Sequence, residues 1–164
     1  MLKIGLLSDT HGFFDPSFYE LLKGVDEIWH AGDIGSEAVL DAMENFKPVR
    51  AVYGNIDGTG IRQRVPKINS FDCEGVHVFM THIGGYPGKY APGIREQLLQ
   101  QRPSLFIAGH SHILKVINDP KLNLLHVNPG AAGKYGFHTV RTAVRFVLNE
   151  AHIKDMEVIE LARR

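Results

Sequence analysis

Residues 106–116 read "FIAGHSHILKV". An apolar run ends at Gly109, two histidines follow with only Ser111 between them, and a second apolar run begins. A run that short, ending in a glycine, reads as a buried strand emerging into a loop. The question it raises is why two imidazoles stand one residue apart at the point of emergence.

The same layout recurs along the chain. "MLKIGLL" runs into "SDTHG", "VDEIWH" into "AGD", "VRAVY" into "GNIDG", "VHVFM" into "THIGG", and "LNLLHV" into "NPG". Runs this length, rich in Val, Ile, Leu and Phe, are expected where strands are covered on both faces. Helical periods separate the early runs. Asp15-Pro16 reads as an N-cap and first helical residue, with Gly24 as the stop. In "SEAVLDAMENF", Val39, Leu40, Met43 and Phe46 share one helical face. Pro92 is expected to open a third helix through Leu98 and Leu99, before Pro103. Residues 137–161, "FHTVRTAVRFVLNEAHIKDMEVIEL", read instead as two antiparallel strands turning near Asn149-Glu150. Strand–helix alternation followed by consecutive strands predicts an α/β chain with more than one sheet.

Composition narrows the function. The 18 Lys and Arg balance 18 Asp and Glu, so there is no strong nucleic-acid signal of the kind a broad basic face gives. If the protein handles phosphates, something other than bulk charge attracts them. Cys73 is the one cysteine, so an intrachain disulfide or thiolate metal site is excluded. That usage, a first strand starting at Leu2 and the lack of any long apolar run lead us to expect no signal peptide, no membrane span and a cytoplasmic location.

The loops after the strands hold the chemistry. Ligands of α/β sheets collect at the carboxyl ends of strands. Waiting there are Asp9, His11, Asp33, Asn55, Asp57, His82, His110 and His112. In extended chain, residues two apart project to one side, so Asp9/His11 and His110/His112 can each offer two ligands to a common site. One imidazole per ion accounts for the opening pair if two metals lie side by side. Oxygen and nitrogen donors without thiolate suit manganese, iron, cobalt, nickel or zinc better than calcium or magnesium. Any one of these loops read alone is as easily a turn or a cap. Five successive strand ends carrying metal-type groups are not. His77, His138 and His152 read as structural, and so, on balance, do His30 and His126, although both adjoin the loops.

In order along the chain, "SDTHG", "HAGD", "GNID", "TH" and "GHSH" resemble the motifs of the calcineurin-like metallophosphoesterase family. The small size and the "NPG" after "GHSH" are similar to its compact phosphodiesterase branch, which includes a retromer-associated scaffold subunit. The resemblance spans about Lys3 to Gly130. It implies a four-layer α/β/β/α sandwich, two mixed sheets flanked by helices, in a single domain over residues 1–164. It implies Asp9, His11 and His112 on one divalent transition metal, Asn55, His82 and His110 on a second, Asp33 bridging them, and Asp57 supporting the site from behind. Manganese is expected first, with iron, nickel, cobalt or zinc as alternatives. The activity implied is hydrolysis of a small phosphate ester, a diester first, by in-line attack of a hydroxide shared by the two metals. A phosphomonoesterase, or a non-catalytic protein-binding scaffold on the same fold, is the alternative. A homo-oligomer stays open.

The chain departs from the family pattern at three places. Ile56 stands where many members have a histidine in the "GN" motif. Ile83 separates the "TH" histidine from Gly84-Gly85. Ala131-Ala132 follows "NPG" where a serine is common. The loop "IGGYPGKYAPG" is expected to be irregular. It could bring Tyr86, Lys89 or Tyr90 over the phosphate, although an ordinary surface connection is the favoured reading.

Overall fold

The structure is a computed structural model that describes residues 1–162; residues 163 and 164 of the expected domain lie outside the described ones. In chain order the elements are β1 (Leu2–Leu7), α1 (Phe18–Leu21), β2 (Glu27–His30), α2 (Glu37–Phe46), β3 (Val49–Ala51), α3 (Thr59–Arg62), β4 (Ile68–Cys73), β5 (Val76–Thr81), β6 (Gly85–Tyr86), β7 (Lys89–Tyr90), α4 (Ile94–Gln101), β8 (Leu105–Ile107), β9 (Leu114–Asp119), β10 (Leu124–Pro129), β11 (Arg141–Asn149) and β12 (His152–Leu161).

Two five-stranded sheets form the body, ordered β12-β11-β1-β2-β3 and β4-β5-β8-β10-β9. Both are mixed. β1, β2 and β3 run parallel, and β11 joins β1 antiparallel. β5, β8 and β10 run parallel, with β4 and β9 antiparallel at the two edges. Alternation along each central strand shows why the apolar runs are continuous. Ile4 and Leu6 of β1 face the second sheet, where they meet Val78, Met80, Leu105, Ile107 and Val127. Leu7 points the other way, into a cluster with Phe18, Leu22, Val39, Leu40 and Met43 beneath α1 and α2. On the far side of the second sheet, Phe79 and Phe106 pack with Ile94 and Leu98 of α4. Helix, sheet, sheet, helix is the order of layers, as the motifs implied. Trp29 is the largest side chain buried between the sheets, and its indole N–H donates to Glu27 at 3.0 Å. Removing a core aromatic of that size costs about 3–5 kcal/mol.

The α2 reading holds: Ser36 caps it by accepting from the Val39 N–H, and Val39, Leu40 and Met43 are buried. So does the closing hairpin, which turns through Glu150-Ala151. The other helices differ. Asp15 does not cap a helix over 16–23. One carboxylate oxygen accepts from the Ser17 N–H and the other is drawn 2.8 Å from buried Arg141, so α1 is a single turn starting at Phe18. The third helix starts at Ile94, after Gly93 at φ 83°, and Leu99 faces outward. The glycine-rich loop after His82 is not wholly irregular. β6 and β7 pair across Gly85–Tyr90.

Candidate metal centre

Both sheets deliver the carboxyl ends of their parallel strands to one edge. β1 leads into Asp9 and His11, β2 into Asp33, and β3 into Asn55 and Asp57. β5 leads into His82, and β8 into His110 and His112. The sequence argument brought the paired ligands together through extended backbone. The structure does it differently. Asp9, His11, Asp33, His110 and His112 all have left-handed backbone, with φ of 54°, 46°, 57°, 73° and 62°. Each such non-glycine residue costs on the order of 1–3 kcal/mol, and such residues gather at functional sites. The surroundings impose it. The Asp9 N–H donates to the Gly32 carbonyl, the His11 N–H to the Asp33 carbonyl, and the Gly133 N–H to the Asp9 carbonyl.

Seven predicted side chains converge. The donor atoms of Asp9, His11 and His112 lie within 4.8 Å of one another, as do those of Asp33, His82 and His110. Asn55 joins the second group, its Oδ1 3.1 Å from His110 Nδ1. Asp33 stands between the groups, Oδ2 being 3.4 Å from His11 Nε2 and 3.1 Å from His82 Nε2.

Each carboxylate is split between scaffold and site. Asp9 Oδ2 accepts from the Ser8 hydroxyl at 2.6 Å and the His110 N–H at 3.1 Å. Its Oδ1 is left facing His11, His82 and His112 at 3.7, 3.8 and 3.2 Å. Asp33 Oδ1 accepts from the Ile56 N–H, leaving Oδ2 for the site. His82 Nδ1 donates to the Ala31 carbonyl at 2.8 Å, which turns its Nε2 lone pair inward. Gly54 is required here, because a Cβ would collide with Asp33.

Asp57 is buried. Its carboxylate accepts from the N–H groups of Ile34, Gly35 and Gly54, at 3.2, 2.8 and 2.8 Å, and so ties the Asp33 loop to the Asn55 loop.

Electrostatics report the crowding of donors. Burial would raise the Asp9 carboxyl, but contacts with His11 and His112 and the charge of His82 hold it well below the usual range. Asp33 is likewise held far down against its burial by His11 and His82. Beside the Asp33 and Asp9 carboxylates, the His11 imidazole is pushed up to about 9. Yet Asp9 Oδ1, His11 Nε2 and His82 Nε2 are buried without a well-formed hydrogen bond. Orphaned buried polar atoms are rare and costly. Metal–ligand bonds of about 2.0–2.2 Å leave neighbouring ligands roughly 3–3.5 Å apart. The spacings here are of that size, and the mixed N/O donor set suits a divalent transition metal. The residues present fit two such ions.

Sequence reading missed His138. Its Nδ1 lies 3.3 Å from His112 Nδ1 and its Nε2 lies 2.8 Å from the Gly133 carbonyl. The available signal was a histidine in a glycine-bearing loop after "NPG", the same context as the ligands. His30, by contrast, is scaffold. It is wholly buried, its Nδ1 accepts from the Gly32 N–H, its Nε2 reaches the Thr10 hydroxyl at 2.9 Å, and burial pushes it down to about 4.

A cavity of about 520 Å³ opens over His11, Asp33 and Asn55. Ile56, Ile113, Tyr135 and Phe137 line it, and all four are exposed. Tyr135 stacks on His11 with centroids 5.0 Å apart. Among the described residues, no lysine or arginine lines this cavity.

Two mixed sheets with a cluster of metal-type donors at one edge match the fold that the motifs implied. Residues 2–151 match the calcineurin-like phosphoesterase superfamily domain, and the chain belongs to that superfamily. A probable metallophosphoesterase of Methanothermobacter thermautotrophicus is 30% identical over 136 residues, covering 78% of this chain and 76% of that protein. Among solved structures, a protein described as a novel archaeal phosphodiesterase superposes with a TM-score of 0.76 at 22% identity, covering 98% and 100% of the two chains. Vps29 of Entamoeba histolytica, complexed with Zn²⁺, does so with a TM-score of 0.74 at 16% identity, covering 97% and 99%. Among the described residues no helix is long and apolar enough to cross a membrane.

Proposed function

We propose that the chain is a dinuclear metal-dependent phosphodiesterase. Asp9, His11 and His112 hold one ion; Asn55, His82 and His110 hold the other; Asp33 is shared. The observation that carries this reading is the convergence of two donor groups on one shared carboxylate, with orphaned lone pairs facing the space between. Bound divalent ions there supply Lewis acidity toward phosphoryl oxygen and a nucleophile at neutral pH. They also bring the local positive charge that the neutral chain lacks.

The chain's own residues do the rest. Ser8 and the His110 N–H fix Asp9, and the Ile56 N–H fixes Asp33, so both carboxylates would receive the ions without reorganising. The cavity favours a diester over a monoester. A monoester dianion calls for additional cations, and among the described residues no lysine or arginine lines the cavity; a diester monoanion brings an organic arm that exposed Tyr135, Phe137, Ile56 and Ile113 can cover.

The test is hydrolysis of bis-p-nitrophenyl phosphate, abolished by chelation and restored by manganese. Asp33→Ala is expected to lose activity and, by elemental analysis, both ions. If wild type with several metals never exceeds the Asp33→Ala background, the enzyme reading falls and a protein-binding scaffold on this fold takes its place.

A further inference from the structure

A second cavity, of about 440 Å³, lies between the chain leaving β3, the start of β4 and the loop after His82. Asn55 is exposed and lines this cavity as well as the first, so a diester at the metal centre has one opening for each of its two arms. The two openings differ in charge. Tyr135 and Phe137 line the first, with no lysine or arginine among the described residues. Arg62 and Lys67 line the second, with no acidic side chain among the described residues. Both cations are exposed, and neither forms an ion pair among the described residues.

Arg62 is already held in place. It closes α3, its Nε donates to the Asp57 carbonyl at 2.6 Å, and its Cζ lies over the Tyr53 ring, 4.5 Å from the centroid. A guanidinium carries five N–H donors in a fixed fork. One is spent on Asp57, and the others meet no acceptor among the described residues. Lys67 is brought to the same cavity by the Tyr53 N–H, which donates to the Pro66 carbonyl at 3.0 Å and holds the entry of β4 against the exit of β3. A fork oriented in advance loses less freedom on meeting a phosphate than a free side chain does.

Resting on the phosphodiesterase reading, we infer that this cavity takes the ester arm that stays on phosphorus, and that Arg62 and Lys67 select an arm carrying a second phosphoryl group. The reacting phosphoryl group belongs to the metals, so cations beyond Asn55 serve another anion. Ile68, Ile83 and Ile94 line the same cavity and cover the carbon skeleton of the arm. The volume lies toward the lower end of ligand pockets, which suits one ring-sized unit and its phosphate. An aromatic leaving group goes the other way, to Tyr135 and Phe137. Tyr86, Lys89 and Tyr90 line neither opening, and the Tyr90 hydroxyl donates to Asp119 at 2.6 Å.

The test uses p-nitrophenyl diesters whose second arm is ethyl, propyl or butyl, each with and without a terminal phosphonate. Each loses p-nitrophenolate to water and keeps the second arm as a phosphomonoester, so only the retained arm differs. At its best length the phosphonate arm is expected to give wild type a KM about tenfold lower than the plain arm, the scale of one charge-assisted hydrogen bond. The preference is read as a ratio within each protein. Arg62→Gln/Lys67→Gln should erase it, and Lys67→Gln alone, at an exposed side chain, should cut it about threefold whether or not the double variant folds. A preference that survives in the double variant comes from the metals and overturns the subsite. An independent readout needs no turnover. By calorimetry, zinc-loaded wild type should bind an alkane diphosphonate of the best length about tenfold more tightly than the matching alkylphosphonate. Equal affinities at every length overturn the subsite, whatever the kinetics. Equal KM values at every length overturn it too, and hydrolysis of the esters would then leave the phosphodiesterase reading standing. If no ester is hydrolysed, the phosphodiesterase reading falls and calorimetry alone decides the subsite.

Discussion

His138 Nδ1 stands 3.3 Å from His112 Nδ1, and its other ring nitrogen stands 2.8 Å from the Gly133 carbonyl. A carbonyl only accepts, so His138 Nε2 carries the proton and, in the neutral ring, Nδ1 accepts from His112. The His112 Nε2 lone pair is thereby left facing Asp9 Oδ1, 3.2 Å away. Gly136 lets the loop close on this pair, since a Cβ there would collide with His112. Partners of this kind fix the tautomer and orientation of a ligating imidazole, and losing one costs about 10–100-fold in metal affinity. His138→Ala is therefore expected to weaken one of the two ions by that factor. Titration against a competing chelator measures it. Two unchanged binding constants would remove His138 from the centre.

Asp57 gives a stability prediction. It is buried, and its carboxylate takes three backbone N–H groups. In Asp57→Ala those donors lose their acceptor, at about 1–3 kcal/mol for each that stays buried and unpaired. We expect a loss of at least about 3 kcal/mol. For a chain of this size that is roughly 6–12 °C in Tm. Metal affinity should fall at both ions, because the Asp33 and Asn55 loops separate together. A Tm within 2 °C of wild type, read on metal-free protein as a rough threshold, would show that water takes over the role.

These residues also show what sequence could reveal. Strands buried on both faces leave unbroken apolar runs, so the central strands and the loops that follow them were legible. The candidate ligands stood out because few other side chains serve a metal. Edge strand β4 was missed because its "INSFDC" mixes exposed and buried positions. Helix α1 was misread because Asp15 answers to Arg141, 126 residues away, and no local pattern shows that. Pairing of His138 with His112 is equally non-local. The left-handed backbone at five of the seven candidate metal-binding residues was illegible as well, since it is imposed by hydrogen bonds between loops of different strands.

Acid should destabilise the metal-free protein before its carboxylates titrate. His30 and His126 are both pushed down to about 4 by burial, from an ordinary value near 6.5. Above pH 6.5 both are neutral, folded or unfolded, and cost nothing. As the pH falls from about 6.5 to about 4, the unfolded chain takes up protons that the folded chain refuses, so stability falls. Each residue accounts for up to about 3 kcal/mol over that window. His11 acts with the opposite sign: its contribution is complete below about 6.5 and is lost as the pH rises through about 9. Urea unfolding from pH 7.5 to 4.5 should show the acid loss, with a shallower slope in His126→Phe. Superimposable slopes would mean that His126 takes a proton while folded.

Ile56 sets the last expectation. Its N–H holds Asp33, while its side chain lies half-exposed on the wall of the larger cavity, where it can donate no proton. A positioned general acid contributes about 10²–10⁴-fold to rate. Without one, charge developing on the departing oxygen stays with the leaving group. Rates should then fall steeply from nitrophenyl to phenyl to simple alkyl esters. Ile56→His places an imidazole at that wall and should raise rates on the poorer leaving groups by about 10²-fold, the low end of that range, while changing the nitrophenyl ester little. The measurement is a leaving-group series on both proteins at saturating metal and fixed pH. A shallow dependence in wild type would mean that another acid already acts. His138 would be the next residue to replace, since it lines the same cavity, whereas His30 is wholly buried away from it.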